Sequence, residues 1–273
     1  MKDLLIGAIS KLAVNDVKPW YKSARQSEFK GDIILLAYDE PEAILKEFMA
    51  DGIFVIQPIH NHLNIPLVTY ELNRQRFFDI WLALTQYESV YRYVISTDVR
   101  DVVFQSNPSV WLEDNIGEYD IVAGSECCKY ADEPWNKKDM LSNFGPFIYE
   151  YLMKDKLVTC CGVQAGTSTA IKNLSLLIYL TAKNCYEAGD QAAINILFNT
   201  VVKAKITTFN DGFVCHCAIP FEPSRANLKK YLTDAEPVWK DGILYTNDDK
   251  QFVIVHQYNR ISELNTIITE RYA

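Results

Sequence analysis

Two aspartates and a distant histidine carry the most distinctive chemistry in this chain. Asp98 and Asp101 stand in Thr97-Asp98-Val99-Arg100-Asp101-Val102-Val103-Phe104, directly after the apolar run Val90 to Ser96. Carboxylates at the end of such a strand suit a hard divalent cation. Mg²⁺ or Mn²⁺ prefers oxygen ligands, often takes only one or two from protein, and leaves the rest to phosphate oxygens and water. The same spacing suits Asp101 capping a turn and Asp98 pairing with Arg100 equally well. His256 closes a second apolar run that begins at Phe252. A neutral imidazole can ligate Mn²⁺, and it can equally be a hydrogen-bonded wall residue.

Further candidates lie elsewhere. Arg74 and Arg76 could meet a phosphate or a sugar carboxyl, or simply be solvated. Gly162-Val163-Gln164-Ala165-Gly166-Thr167 follows an apolar run, and its glycines would allow close backbone approach to a ligand. It is neither a dinucleotide fingerprint nor a Walker loop. Asp190-Gln191 opens a helix, where aspartate is a preferred cap. His60-Asn61-His62 has no carboxylate beside it and reads as surface. Cys215-His216-Cys217 offers zinc-type ligands, but at an unusual spacing and without a second Cys-x-x-Cys pair.

These residues must be positioned by alternating strands and helices. Leu4 to Ile9, Asp32 to Tyr38 and Ile53 to Pro58 read as strands, with a helix over Pro41 to Met49. This is the rhythm of a parallel sheet with helices on its faces. Ala13 to Phe29, with Trp20, Tyr21, Lys22 and Arg25, is expected to be a long loop at the edge where open α/β sheets bind ligands, or a solvated connection. A helix over Tyr70 to Tyr87 presents Leu72, Phe77, Ile80, Trp81 and Leu84. Asp120 to Gly124 reads as a strand, Ser125 to Asn143 as a polar surface loop, and Leu157 to Gly166 as a strand. Helices follow over Asn173 to Cys185 and from Gly189 to Val201. The tail suggests strands at Ala204 to Phe209, Gly212 to Ala218, Gly242 to Thr246 and Phe252 to His256, the last two joined by a turn at Asn247 to Lys250.

With 27 Lys+Arg against 35 Asp+Glu, the net charge is −8, which argues against a nucleic-acid partner. At 49% hydrophobic residues the chain can bury a large core, and no stretch approaches the roughly 18 apolar residues of a membrane span. The opening Met1 to Ser10 lacks the basic and apolar regions of a signal peptide. The seven cysteines fall mostly in adjacent pairs, a poor disulfide framework, so reduced thiols and a cytoplasmic setting are expected. No linker or repeat divides the chain, and a single domain is expected over 1–273, with a nucleotide-binding half (1–105) and an acceptor-binding half (106–273).

The order of these parts resembles a nucleotide-sugar glycosyltransferase of the GT-A fold, over roughly residues 1 to 260. The resemblance rests on the Rossmann-like first half, the arginine-bearing helix, Asp98 to Asp101, Gly162 to Gly166, Asp190-Gln191-Ala192-Ala193-Ile194-Asn195 and Val255-His256-Gln257-Tyr258. It implies a single α/β domain with a central mixed, mostly parallel sheet flanked by helices. It also implies Mn²⁺ or Mg²⁺ on Asp98, Asp101 and His256, as in the branch resembling glycogenin, and donor contacts from Arg74, Arg76, Asp98 and Gln164. Asp190 and Gln191 are the implied catalytic pair, the donor a nucleotide sugar with UDP foremost, and the acceptor a glycan or other hydroxyl. Two departures stand out: Arg100 occupies the place of the usual second acid, and Cys161 stands where the family often has Asn or Ser. The glycogenin-like histidine tilts the expectation towards retention of anomeric configuration. A sugar-phosphate nucleotidyltransferase is the first alternative, although its glycine-rich opening loop is missing: Leu5 to Ser10 holds one glycine. A non-catalytic nucleotide-sugar or carbohydrate binder is the second, and turnover would discriminate it.

Overall fold

The computed structural model describes residues 1–58, 69–87, 90–186, 189–232 and 235–272. The chain runs β1 (Lys2–Ser10), α1 (Val14–Gln26), β2 (Asp32–Tyr38), α2 (Glu42–Ala50), β3 (Phe54–Ile56), α3 (Thr69–Gln86), β4 (Tyr91–Thr97) and β5 (Val102–Phe104). It continues with α4 (Pro108–Asn115), β6 (Ile121–Lys129), α5 (Pro134–Ile148), β7 (Leu157–Thr167), α6 (Ser168–Ala182), α7 (Asp190–Phe198) and β8 (Lys205–Thr207). The last part holds β9 (Val214–His216), α8 (Ala218–Phe221), β10 (Val238–Lys240), β11 (Ile243–Tyr245), β12 (Ile254–His256) and α9 (Ser262–Tyr272).

Seven strands form one sheet in the order β3-β2-β1-β4-β7-β6-β8. All neighbours are parallel except β7, which runs antiparallel to both β4 and β6. The sheet is therefore mixed and mostly parallel, an α/β architecture. Strand β1 is apolar almost throughout because both its faces are covered. Leu5 and Ile9 join Trp20 and Leu35 in the core beneath α1 and α2. Leu4 and Ile6 join Phe77, Ile80 and Ile178 beneath α3 and α6 on the opposite face. A third core, around Val255, Cys128, Tyr149 and Leu264, fills the space between the small sheet β5-β12-β9 and the helices α5 and α9.

The segment Ala13 to Phe29 is a helix rather than a loop. Val14, Val17, Tyr21 and Ala24 recur at helical spacing and are buried, as is Trp20, whose Nε1 donates to Thr97 Oγ1 at 2.8 Å. Pro19 lies inside this helix and removes one backbone donor, so tertiary burial outweighs local propensity here. Ser125 to Asn143 is likewise no surface loop. Strand β6 runs on to Lys129, and Glu133 caps α5 by accepting from Asn136 N at 2.6 Å, with Pro134 at the first helical position. Ser125, Glu126, Glu133, Asn136 and Asp139 are all buried; their polarity marks an internal polar wall, not solvent exposure.

The tail strands form, but they do not pair with one another as a simple succession. β11 pairs antiparallel with β10, and a turn follows in which Thr246 N donates to Lys250 O at 2.8 Å. β12 leaves that hairpin to lie between β5 and β9. His60 and His62 lie outside the described residues. Among those described, no helix is long and apolar enough to cross a membrane, and all seven cysteines are free thiols.

Candidate active site

Three backbone ties bring together segments that are far apart in sequence. Asp98 N donates to Gly162 O at 2.8 Å, which fixes the end of β4 against β7. In the small sheet His256 pairs with Val102, the residue directly after Asp101, and Gln257 N donates to Asp101 O at 2.8 Å. His256 is thus delivered by a separate sheet, not by the open edge of the main one. The result is local convergence: His256 Nε2 lies 3.5 Å from Asp98 Oδ2 and 3.6 Å from Asp101 Oδ1.

Arg76, on α3, ties this cluster to the start of α7. Its guanidinium donates to Asp98 Oδ1 and, at 3.2 Å, to Asp190 Oδ2. Asp98 therefore pairs with Arg76 and not with its sequence neighbour Arg100. Asp190 occupies the first turn of α7 behind Gly189 and is paired by Arg76 instead of serving as the helix cap. Gln191, beside it, is committed to the frame: its Oε1 accepts from Cys161 N at 2.7 Å. Its Nε2 donates to Asn136 Oδ1 at 3.0 Å and Thr159 O at 3.1 Å.

Electrostatics separate the two aspartates. Burial would raise Asp98, but the Arg76 guanidinium and the His256 ring hold it well below the usual carboxylate range. Burial, with the charge of Asp98, pushes Asp101 up in spite of His256 and Arg260. Burial works to lower His256, yet Asp101 and Asp98 outweigh it and the ring titrates above its ordinary value. Asp190 is raised by burial even with Arg76 beside it. Asp139 is pushed up to about 6 by burial and by the nearby charge of Asp190.

Asp98, His256 and Asp190 open onto a cavity of about 350 Å³, while Asp101 lies behind its lining, beside His256. Arg76, Asp98, Asp190, Gln191, Gly162 and His256 line one part of it, and Glu126, Trp135, Asn136, Arg225 and Arg260 line the remainder. Arg225 is held by Glu133 at 2.9 Å, and Glu126 is raised by burial and by Glu133. Aromatic residues around 125–150, Trp135 among them, are expected from the sequence to cover an acceptor; Glu126, Asn136, Arg225 and Arg260 are not singled out, because polar side chains read as surface unless a cavity is known to lie beneath them. Two expected donor contacts sit apart: Arg74 is buried and donates to the Cys185 carbonyl, and Gln164, inside β7, lies 3.5 Å from the Cys160 carbonyl. Neither lines this cavity.

Gly162 is the small residue that makes the convergence possible. A Cβ there would meet His256 Nε2 at 2.7 Å and Asp98 Oδ2 at 2.8 Å, as well as His256 Cε1. Gly162→Ala is therefore expected to displace the imidazole and lower stability by about 1–3 kcal/mol, the usual cost of overpacking. Urea denaturation checks this; a wild-type midpoint would mean the ring moves freely aside.

The donor set suits a divalent cation. Two carboxylates and an imidazole are hard to borderline ligands, and their nearest atoms all lie within 4.8 Å of one another. Ligands about 2.1 Å from a shared ion stand roughly 3.0 Å apart when adjacent and about 4.2 Å when opposed. The observed 3.5 and 3.6 Å fall within that interval. Cys215 and Cys217 join no such group among the described residues.

No family model and no curated protein matches this sequence. Solved structures do. The chain is similar to WbbM, a bifunctional glycosyltransferase solved in its apo form, at a TM-score of 0.61 and 11% identity. The likeness covers 100% of this chain and 50% of that one, so the chain spans about half the length of the solved protein. At this identity the likeness concerns architecture alone: the fold shared with that structure carries the cluster of Asp98, Asp101, His256, Arg76 and Asp190.

Proposed function

We propose that this chain transfers a sugar from a nucleoside diphosphate sugar, UDP-sugars foremost, to a hydroxyl of a glycan or similar acceptor. The observation that carries this reading is the meeting of Asp98, Asp101 and His256, the first and last of which line a polar cavity. The fold likeness to a glycosyltransferase supports it. Asp98, Asp101 and His256 would hold Mn²⁺ or Mg²⁺, in the manner of the glycogenin-like branch of the GT-A transferases. Such an ion, when bound, supplies a Lewis acid that neutralises the charge developing on a leaving diphosphate.

The chain's own residues do the rest. Arg76 orients Asp98 through one nitrogen and Asp190 through another, so the metal-binding end and the sugar-facing end of the cavity are built as one unit. Asp190 is engaged by a guanidinium and only 7% exposed, which makes it a poor free base for an acceptor proton. It is better placed to steady positive charge on the sugar ring, and this favours retention of configuration. Gln191 acts by holding α7 to β7, since its amide is occupied. Trp135 is 52% exposed at the cavity wall, where an acceptor could stack on its ring.

The test is a melting panel of UDP-, GDP- and dTDP-sugars with and without Mn²⁺. Ligand at about 100 times Kd adds about 2.7 kcal/mol of stability, or several degrees for a chain of this size. UDP with Mn²⁺ is expected to give the largest rise, accompanied by slow hydrolysis of one nucleotide sugar. An unchanged melting temperature across the panel would overturn the reading, and binding without turnover would reassign the chain as a binder.

A further inference from the structure

His256 has a second nitrogen, and its partner is unusual. Its Nδ1 lies 2.9 Å from Nδ1 of His216, which sits opposite it in the parallel pairing of β12 with β9. Both rings are buried, at 2% and 0% exposure, and meet edge to face with centroids 5.1 Å apart. Two facing ring nitrogens at this distance need one proton between them, so one ring donates and the other accepts. Nε2 of His256 faces Asp98 and Asp101, and to hold a cation it must be bare. The proton on that neutral ring is then on Nδ1, where it is donated to His216.

We propose that His216 is a positioning residue: it accepts the Nδ1 proton of His256, fixes its tautomer and turns Nε2 towards the two aspartates. This rests on the metal-dependent reading above and extends it to a residue outside the ligand set. When the His256 ring is doubly protonated, with one proton on Nε2 for the carboxylates, Nδ1 still donates to His216, so the accepting role is the same in that state. His216 must then carry its own proton on Nε2, the atom that faces Gly124. A Cβ at Gly124 would come 2.6 Å from that atom, so glycine leaves it the space to lie there.

Cys160 completes the surroundings of the shared proton, with Sγ 3.5 Å from His256 Nδ1. Burial keeps its thiol protonated, and sulfur is a weak acceptor, so His216 is the stronger partner. Cys160, His216 and His256 could also be read as a soft-metal site, since their ligand atoms lie close together. Filled together with the site on Asp98 and Asp101, it would require His256 to give both its nitrogens to cations and lose its ring proton altogether. The hydrogen bond asks for no such loss.

The experiment compares His216→Leu with His216→Asn, whose amide oxygen can take the place of the accepting nitrogen. Mn²⁺ binding is read by the loss of the free-ion electron paramagnetic resonance signal, and ring tautomers by long-range ¹⁵N NMR of the metal-free protein. Circular dichroism confirms that each variant is folded. His216→Leu is expected to bind Mn²⁺ about 10- to 100-fold more weakly, the usual cost of losing a ligand's hydrogen-bond partner. His216→Asn should stay within about threefold of wild type, because the partner is restored. In the wild-type spectrum His216 should be the Nε2-protonated tautomer. A His216 protonated on Nδ1 would overturn the inference, as would a folded His216→Leu that binds Mn²⁺ like wild type. So would tightly held zinc that His216→Asn releases. Should wild type bind no Mn²⁺ at all, the metal-dependent reading fails, while the tautomer of His216 still decides this inference by itself.

Discussion

In His256→Ala and in Asp101→Ala, Mn²⁺ is expected to add nothing to the thermal stabilisation that UDP provides. Each substitution removes one of three ligand atoms that lie within 4.8 Å of one another. The remaining pair would be left to grip the ion with the help of diphosphate oxygens and water. A loss of about 100-fold in metal affinity corresponds to about 2.7 kcal/mol of ligand-linked stability, which is the whole of the expected Mn²⁺ effect. The measurement is the difference between melting temperatures with and without Mn²⁺ at fixed UDP, so a change in the stability of the metal-free variant cancels. Asp101 is the sharper case, because among the described residues its carboxylate forms an ion pair with His256 alone. If both variants keep the wild-type Mn²⁺ increment, the cation is held elsewhere and the proposed site is wrong.

Arg76→Met should be the most damaging single change to the metal-free protein. The Arg76 side chain is 15% exposed and lies between Asp98 and Asp190, so its loss leaves two carboxylates facing one another across a space from which the cation has gone. Breaking a buried ion pair from one side costs about 3–5 kcal/mol, because the abandoned charge keeps its desolvation penalty. The penalty falls mainly on Asp190, which is 7% exposed, and less on Asp98, which is 32% exposed and can recover some solvation. Asp190→Asn in the Arg76→Met background should therefore restore about 1–3 kcal/mol, whereas Asp190→Asn alone should destabilise. Urea denaturation of the four proteins closes the cycle. Additive effects would show that Arg76 and Asp190 do not act together.

Legibility from the sequence followed the range of the interactions. Strand β2 is read at its full extent from seven consecutive residues, and β1, α2 and α3 to within a few residues, since unbroken apolar runs and helical spacing are local signals. Helix α1 was missed because Pro19 and the cations Lys18, Lys22 and Arg25 obscure its apolar face, and the burial of Trp20 against Thr97 that supports it spans 77 residues. The stretch from Ser125 to Asn143 was misread for a different reason. Hydropathy reports the polarity of a side chain, while only the fold says whether that side chain faces solvent or a cavity.

Composition and pattern alone determined the α/β class, the placing of Asp98 and Asp101 just after a buried strand, and the singling out of Asp190 and His256. The tertiary structure alone decided who meets whom. His256 reaches Asp101 through the register of a separate small sheet, Arg76 rather than Arg100 takes Asp98, Arg74 turns away to Cys185, and His216 stands behind the imidazole. Strand pairing and cavity walls depend on contacts between residues up to about 160 positions apart, and such contacts leave no trace in any short window of sequence.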